Sequence, residues 1–370
     1  MIHDYSTYQR ERLEQYLLNL DTISDELKNN KTKKNAVNNL KKSASELKDL
    51  DPHIAYLWFR AKKEEAEIQE EKTKKDKYQT IMTILQDEWK KTLALQSKDK
   101  NPVEEFGLNP DIRKIDELPP FSFMLSIPFK LNKPYISKDE ENFYLIDNPV
   151  RKEKLFGNPM IASTSWKGAL RYAFHQSGYP DSDKSIIRLF GNPRENELLQ
   201  SGRLSFYSSF FDRTAFEIIN PHNRVTGITK RGPILIEAVP AYQCSIFSLL
   251  YVPMFTPDQT SKKIIGDIFT DMELVAQGIQ AMLTVYGFGA KTSSSYGVVK
   301  NELTVKGGKL ALCLPVINIP SDVEYGLNPE GGSSQKLLTQ TNWTFQTLTE
   351  LPELVKQVGK KMRTSKGKEE

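Results

Sequence analysis

The sequence predicts an α+β protein, an all-helical first third followed by a sheet domain, and three observations carry that expectation. Up to about residue 115, apolar residues recur at helical spacing. From about Leu118 the apolar runs turn β-branched and aromatic. Only a few helical stretches separate those later runs.

The helical stripes are Leu13, Tyr16, Leu17 and Leu20, then Val37, Leu40, Ala44 and Leu47, then Tyr78, Ile81, Met82, Leu85 and Trp89. Asp51-Pro52 separates helices, because proline disfavours helix in the residue before it. Residues 62–77 are almost wholly charged or polar and read as a solvated helical face or a loose connector. Residues 121–129, 204–208, 234–239, 245–252 and 310–314 read as strands, and residues 166–176, 185–190 and 264–286 as helices. Strands with so few helices between them suit a ferredoxin-like βαββαβ unit. Residues 320–343 are rich in Gly, Ser, Asn and Pro and read as a loop, and residues 359–370 as a charged, disordered tail. The expected organisation is a helical N-terminal module over 1–115, a sheet domain over 116–318, and a C-terminal loop, short helix and tail over 319–370.

The chain has 370 residues and a formal net charge of +4. That length suits about two domains. No stretch approaches the ~18–20 apolar residues of a transmembrane helix, and residues 1–15 lack a signal-peptide apolar core. The expectation is a cytoplasmic protein without a membrane partner. Cys244 and Cys313 sit in apolar contexts and read as buried thiols. The mild positive charge permits nucleic acid without establishing it.

Four constellations can carry chemistry. The first joins the run 144–151, containing Asp147-Asn148-Pro149, to Gly157-Asn158-Pro159 and then to Ser163-Thr164-Ser165-Trp166-Lys167-Gly168-Ala169-Leu170-Arg171. Ser163 and Thr164 are good N-caps, so a helix should begin there. Its N-terminus, with nearby hydroxyls and Lys167, suits a phosphate. Lys167 and Arg171 share a helix face. An ordinary capped helix with a basic face has the same spacing. The second, Leu189-Phe190-Gly191 followed by Gly202-Arg203-Leu204, reads as a helix end and a turn into a strand.

The third is the polar, basic excursion over residues 219–232, which sets Arg224, Lys230 and Arg231 between two strand-like runs. A protruding hairpin can bring them to an anion; a plain surface hairpin fits equally. The fourth is Gly287-Phe288-Gly289-Ala290-Lys291-Thr292-Ser293-Ser294-Ser295-Tyr296-Gly297. Its small residues let backbone amides approach a phosphate, Lys291 supplies charge, and Phe288 and Tyr296 can stack on bases. It is not a Walker A loop. His3, His53, His175 and His222 form no close-spaced metal motif. His222 or His175 as the base of a standalone processing ribonuclease is a separate expectation.

The order of these motifs resembles the RAMP superfamily of CRISPR proteins, specifically backbone-type subunits of type III effectors, over roughly residues 118–312. The resemblance implies an RRM-like core of ferredoxin type with an inserted thumb hairpin. It implies a subunit that binds guide RNA and the guide–target duplex beside other effector subunits in an antiviral ribonucleoprotein. By motif match, Thr164, Ser165, Lys167 and Arg171, with Ser163 just ahead, correspond to the guide-contacting helix start. Lys291, Thr292 and Ser293 correspond to the glycine-rich loop, and residues 220–232, with Arg224, Lys230 and Arg231, to the thumb. Asp147 matches the aspartate that supports cleavage of target RNA with Mg²⁺ or another divalent cation, which makes the chain a candidate endoribonuclease. Two departures point the other way. Ala162-Ser163 replaces the usual Pro-Gly, and Asn220-Pro221-His222 is similar to terminal, non-cleaving capping members, in which Asp147 would be silent. The N-terminal helices read as a docking arm or an RNA-touching module.

Overall fold

The computed structural model describes residues 52–70, 75, 76, 78, 79, 82, 83, 107, 109–138, 148–154, 157–192, 200–220, 233–254, 261–315 and 338–364. In chain order the elements are α1 (Pro52–Ile68), a 3₁₀ segment (Ile112–Glu117), β1 (Phe123–Lys130), β2 (Met160–Ile161), α2 (Ser163–Gln176), α3 (Lys184–Phe190), β3 (Leu204–Phe206), β4 (Ser209–Phe210), β5 (Ala215–Ile219) and β6 (Ile234–Ala238). There follow β7 (Cys244–Tyr251), α4 (Ser261–Ala281), a π-helical turn (Met282–Tyr286), a 3₁₀ turn (Thr292–Ser294), β8 (Gly308–Pro315), β9 (Leu338–Phe345) and α5 (Glu350–Thr364). They fall into two compact units. One comprises Met1–Ser97, Asp139–Pro149 and Glu217–Glu237, and the other Lys98–Lys138, Val150–Phe216 and Ala238–Glu370.

The larger unit is built on a five-stranded sheet in the order β3-β7-β1-β8-β9, with every neighbouring pair antiparallel. β1, α2, β3, β7, α4 and β8 follow one another as βαββαβ. Their strands lie in the spatial order second, third, first, fourth, which is the ferredoxin-like arrangement the sequence predicts. β9 adds a fifth strand beside β8. It occupies residues expected to be loop, and α5 runs through Gly359 into the expected tail.

Alternation along the strands separates two faces. Phe123, Leu125, Ile127 and Phe129 of β1, Phe247, Leu249 and Tyr251 of β7, and Leu310 and Leu312 of β8 are buried in one core. They share it with Leu170 and Phe174 of α2 and with Ile268, Met272, Val275 and Ile279 of α4, which recur at helical spacing. Each such side chain contributes roughly 1.5–3 kcal/mol on full burial.

The second face carries Met124, Ser126, Pro128 and Lys130, then Cys244, Ile246, Ser248 and Leu250, then Lys309, Ala311 and Cys313. Ser205 of β3 and Asn342 and Thr344 of β9 join them, so this face bears no aromatic side chain among the described residues. At one end Ile115 of the 3₁₀ segment packs on Met124, Ala311 and Cys313. Burial there pushes the Cys313 thiol up to about 11. Cys244, expected to be buried, is exposed, because the register puts it on this second face opposite Lys130.

A buried polar network ties the core elements together. Asp271 of α4 is fully buried and accepts from Arg188 Nε of α3 at 2.8 Å and from the Tyr251 hydroxyl at 2.8 Å. Arg203 Nη1 donates to that hydroxyl at 2.9 Å and stands 3.5 Å from Asp271. Burial pushes the Asp271 carboxyl up, against the pull of Arg188 and Arg203.

In the smaller unit α1 begins at Pro52, at the predicted break, where the fixed φ of proline suits the first helical turn. Phe59 and Ala66 are buried, and the Phe59 ring lies 6.4 Å from that of Tyr78. Arg60–Glu64 and Lys62–Glu65 pairs line a solvated face, as the charged run predicts. β5 and β6 form a two-stranded sheet, the base of the predicted thumb. Residues 221–232 and the stripes at 13–20 and 37–47 lie outside the described residues.

Candidate nucleic-acid interface

The first half of the interface is the start of α2. Ala162 takes the cap position in extended conformation, and no side chain caps the helix. Ser163 and Thr164, expected as N-caps, instead lie within the first turn. Their hydroxyls therefore stand beside the N-terminal amides rather than closing them off, and a helix N-terminus of this kind favours an anion. Trp166 anchors the turn. It is fully buried, its Nε1–H donates to Ser209 Oγ at 2.9 Å, and that hydroxyl donates to the Ile246 carbonyl at 2.6 Å. With Trp166, Leu170, Ala173 and Phe174 turned inward, Thr164, Lys167 and Gly168 face solvent.

Arg171 behaves differently from Lys167. Its Nε donates to Asp181 at 2.8 Å in a solvent-exposed pair. The shared basic face of the sequence reading is thus reduced to Lys167, which has no carboxylate partner among the described residues.

The second half is the glycine-rich loop after the π-helical turn. Its glycines serve close backbone approach within the protein. A Cβ on Gly297, at φ +68°, would collide with the Phe288 carbonyl, and one on Gly289, at φ +87°, with the Ile136 carbonyl. Phe288 N–H donates to Gly297 O at 3.0 Å and Ala290 N–H to Ile136 O at 2.7 Å, closing the loop at its base. The tip is strained. Lys291 (φ 58°, ψ 33°) and Ser295 (φ 63°, ψ 18°) are both left-handed and bracket the short 3₁₀ turn. Non-glycine residues there cost about 1–3 kcal/mol each. The left-handed to right-handed step from Lys291 into the turn is the kind of backbone that forms an anion nest, while the Ser294 and Ser295 amides donate to Lys291 O and Thr292 O. Lys291 and Ser293 are exposed, and Thr292 is half-buried.

Aromatic packing joins the two halves. The ring centroids of Trp166 and Phe288 are 4.5 Å apart. Phe129 and Tyr135 pack on Phe288 at 6.0 and 5.7 Å, and Tyr172 meets Tyr286 edge-on at 6.2 Å. Phe288 is therefore a core residue and not the base-stacking group the sequence suggests. Burial pushes the Tyr135 hydroxyl up to about 12. The fold thus packs the helix turn that carries Ser163, Thr164, Ser165 and Lys167 against Phe288, which precedes the loop tip with Lys291, Thr292 and Ser293.

Asp147, Arg224, Lys230 and Arg231 lie outside the described residues, as does His222. Next to Asp147, the Asn148 carbonyl accepts from Glu237 N–H of β6 at 3.0 Å. His175 is exposed near the end of α2. Among the described residues no three His, Cys, Asp or Glu side chains converge as a metal cage, and no helix is long and apolar enough to cross a membrane. The sequence reading missed Tyr242, Lys130 and Lys300. They form one cluster, an exposed ring beside two half-buried lysines, from three remote segments, and no local pattern marks them.

Residues 128–300 match the family model of the RAMP superfamily. Among solved structures, the chain is similar to a chain of the type III-B Cmr-beta complex bound to cognate target RNA, determined by cryo-EM. The TM-score is 0.40 at 13% identity, covering 62% of this chain and 74% of that one. The comparison with curated proteins gives no match.

Proposed function

Given that residues 128–300 match the family model of the RAMP superfamily, we propose that the chain is an RNA-binding subunit of a CRISPR type III RNA-guided effector complex. It grips the guide RNA backbone and the guide–target duplex beside other subunits of that complex. One observation supports this reading above the others. Two exposed ammonium groups without a carboxylate partner among the described residues, Lys167 and Lys291, sit on a helix start and a glycine-rich loop that are packed together through Trp166 and Phe288. Such a pair holds a phosphate backbone without reading bases, as guide recognition requires.

The same proposal assigns Asp147 to target RNA cleavage. A single carboxylate fits Mg²⁺ or another divalent cation, which commonly binds through one or two carboxylates, water and substrate phosphates rather than an all-protein cage. Bound there, the cation would neutralise charge developing on the scissile phosphate. The thumb residues Arg224, Lys230 and Arg231 would follow the duplex. Asn220-Pro221-His222 and the absent Pro-Gly favour a second reading, a non-cleaving capping subunit of the same complex.

The test is cleavage by the assembled complex. The chain, purified with its natural partners and a defined guide, is incubated with complementary RNA with and without Mg²⁺, beside the Asp147→Ala version. Evenly spaced cuts that need metal and vanish in the variant support a slicing subunit. Cuts that persist assign the chain to a non-cleaving structural or capping role, with another subunit supplying the chemistry.

A further inference from the structure

The turn between β6 and β7 holds its aromatic residue in an unfavourable backbone. Tyr242 has φ +68°, a region that bulky L-residues rarely adopt. Two hydrogen bonds fix it there: Tyr242 N–H donates to Leu131 O, and Leu131 N–H to Gln243 O, each at 2.9 Å. The strain does not serve packing, because the Tyr242 ring is 58% exposed and touches no other ring among the described residues. Lys300 Nζ stands 4.8 Å and Lys130 Nζ 5.8 Å from its centroid. Lys300 N–H donates to Lys130 O at 2.9 Å, so both stems issue from one backbone junction. Neither ammonium has a carboxylate partner among the described residues. Two like charges gathered on one exposed ring repel each other, and an anion beside the ring relieves that repulsion.

The rest of the fold narrows the ligand. An RRM stacks bases on aromatics of its open sheet face, and the second face here has none among the described residues. Tyr172, the other exposed aromatic among the described residues at 49%, is packed against Tyr286. Tyr242 is also braced by the stretch that braces the glycine-rich loop: Asn132 N–H donates to Val298 O, and Ile136 O accepts from Ala290.

We infer that Tyr242, Lys130 and Lys300 form a further contact for single-stranded RNA, the ring stacking on a base while the two ammonium groups hold flanking phosphates. The inference rests on the RNA-binding reading above and names where the bound strand continues beyond the loop. The backbone strain is then the cost of presenting the ring to a base.

Direct titration of the full chain with a fluorescent single-stranded oligouridylate across a salt series tests it. Tyr242→Gly removes the ring and relieves φ, so it should fold at least as stably as the native chain yet bind on the order of tenfold more weakly. Its loss should disappear against an oligomer of abasic nucleotides. Lys130→Ala with Lys300→Ala should lower the slope of log K against log salt by about 1.4, at ~0.7 per phosphate contact on a single strand. Saturating RNA should also protect the exposed Cys244 thiol, the cross-strand neighbour of Lys130, from maleimide. Native affinity in Tyr242→Gly, with Lys167→Ala and Lys291→Ala still weakening binding, overturns this contact and leaves the RNA-binding reading standing. An oligouridylate that the native chain does not bind overturns both.

Discussion

Two sets of cationic side chains in the larger unit have opposite fates. Arg188 and Arg203 are drawn inside around Asp271 and Tyr251, with every partner supplied by the protein. Lys167 and Lys291 are held at the surface by buried aromatics, with no carboxylate supplied among the described residues. The first set holds α3, α4, β3 and β7 together. The second forms no ion pair among the described residues and leaves its two ammonium groups in solvent. Pairing thus separates the charges that tie the core together from those left at the surface more clearly than residue type does.

The largest effect expected from breaking that comparison is on the inside. Asp271→Ala removes the buried carboxylate that the half-buried Arg188 and the buried Arg203 share and should cost about 3–5 kcal/mol, read as a lowered midpoint in urea. Next comes the scaffold of the loop. Gly297→Ala forces a Cβ against the Phe288 carbonyl at positive φ and should cost roughly 2–4 kcal/mol, with RNA binding reduced because the Lys291 tip moves. Arg171→Ala removes only an exposed ion pair and should change stability by about 0.2–1 kcal/mol; its effect on RNA affinity should be smaller than that of Lys167→Ala. Smallest in stability are Lys167→Ala and Lys291→Ala, each within about 0.5 kcal/mol of native in a thermal melt, although they should weaken RNA most among these surface changes.

The ferredoxin-like core was legible because its strands alternate apolar and polar residues and its helices carry regular stripes. β9 was not. Leu-Thr-Gln-Thr-Asn-Trp-Thr-Phe is a largely polar edge strand beside β8, and the sequence just before it is polar too. The interface was legible as two motifs but not as one site, since the contact between Trp166 and Phe288 is tertiary. Phe288 misled because glycines around an aromatic suggest exposure, whereas here they let two backbone segments cross above a buried ring. Arg171 misled because helical spacing shows which residues share a face and not which of them Asp181 engages. Tyr242 left no trace, because its lysines come from remote segments and its strain is a backbone property.

The most direct test of the central claim is the salt dependence of single-stranded RNA binding by the full chain, native against the Lys167→Ala/Lys291→Ala double variant. The account predicts a weaker complex, a slope reduced by about 1.4, and an unchanged melting temperature. An unchanged slope and affinity in a folded double variant would contradict it and place the RNA contact elsewhere on the chain.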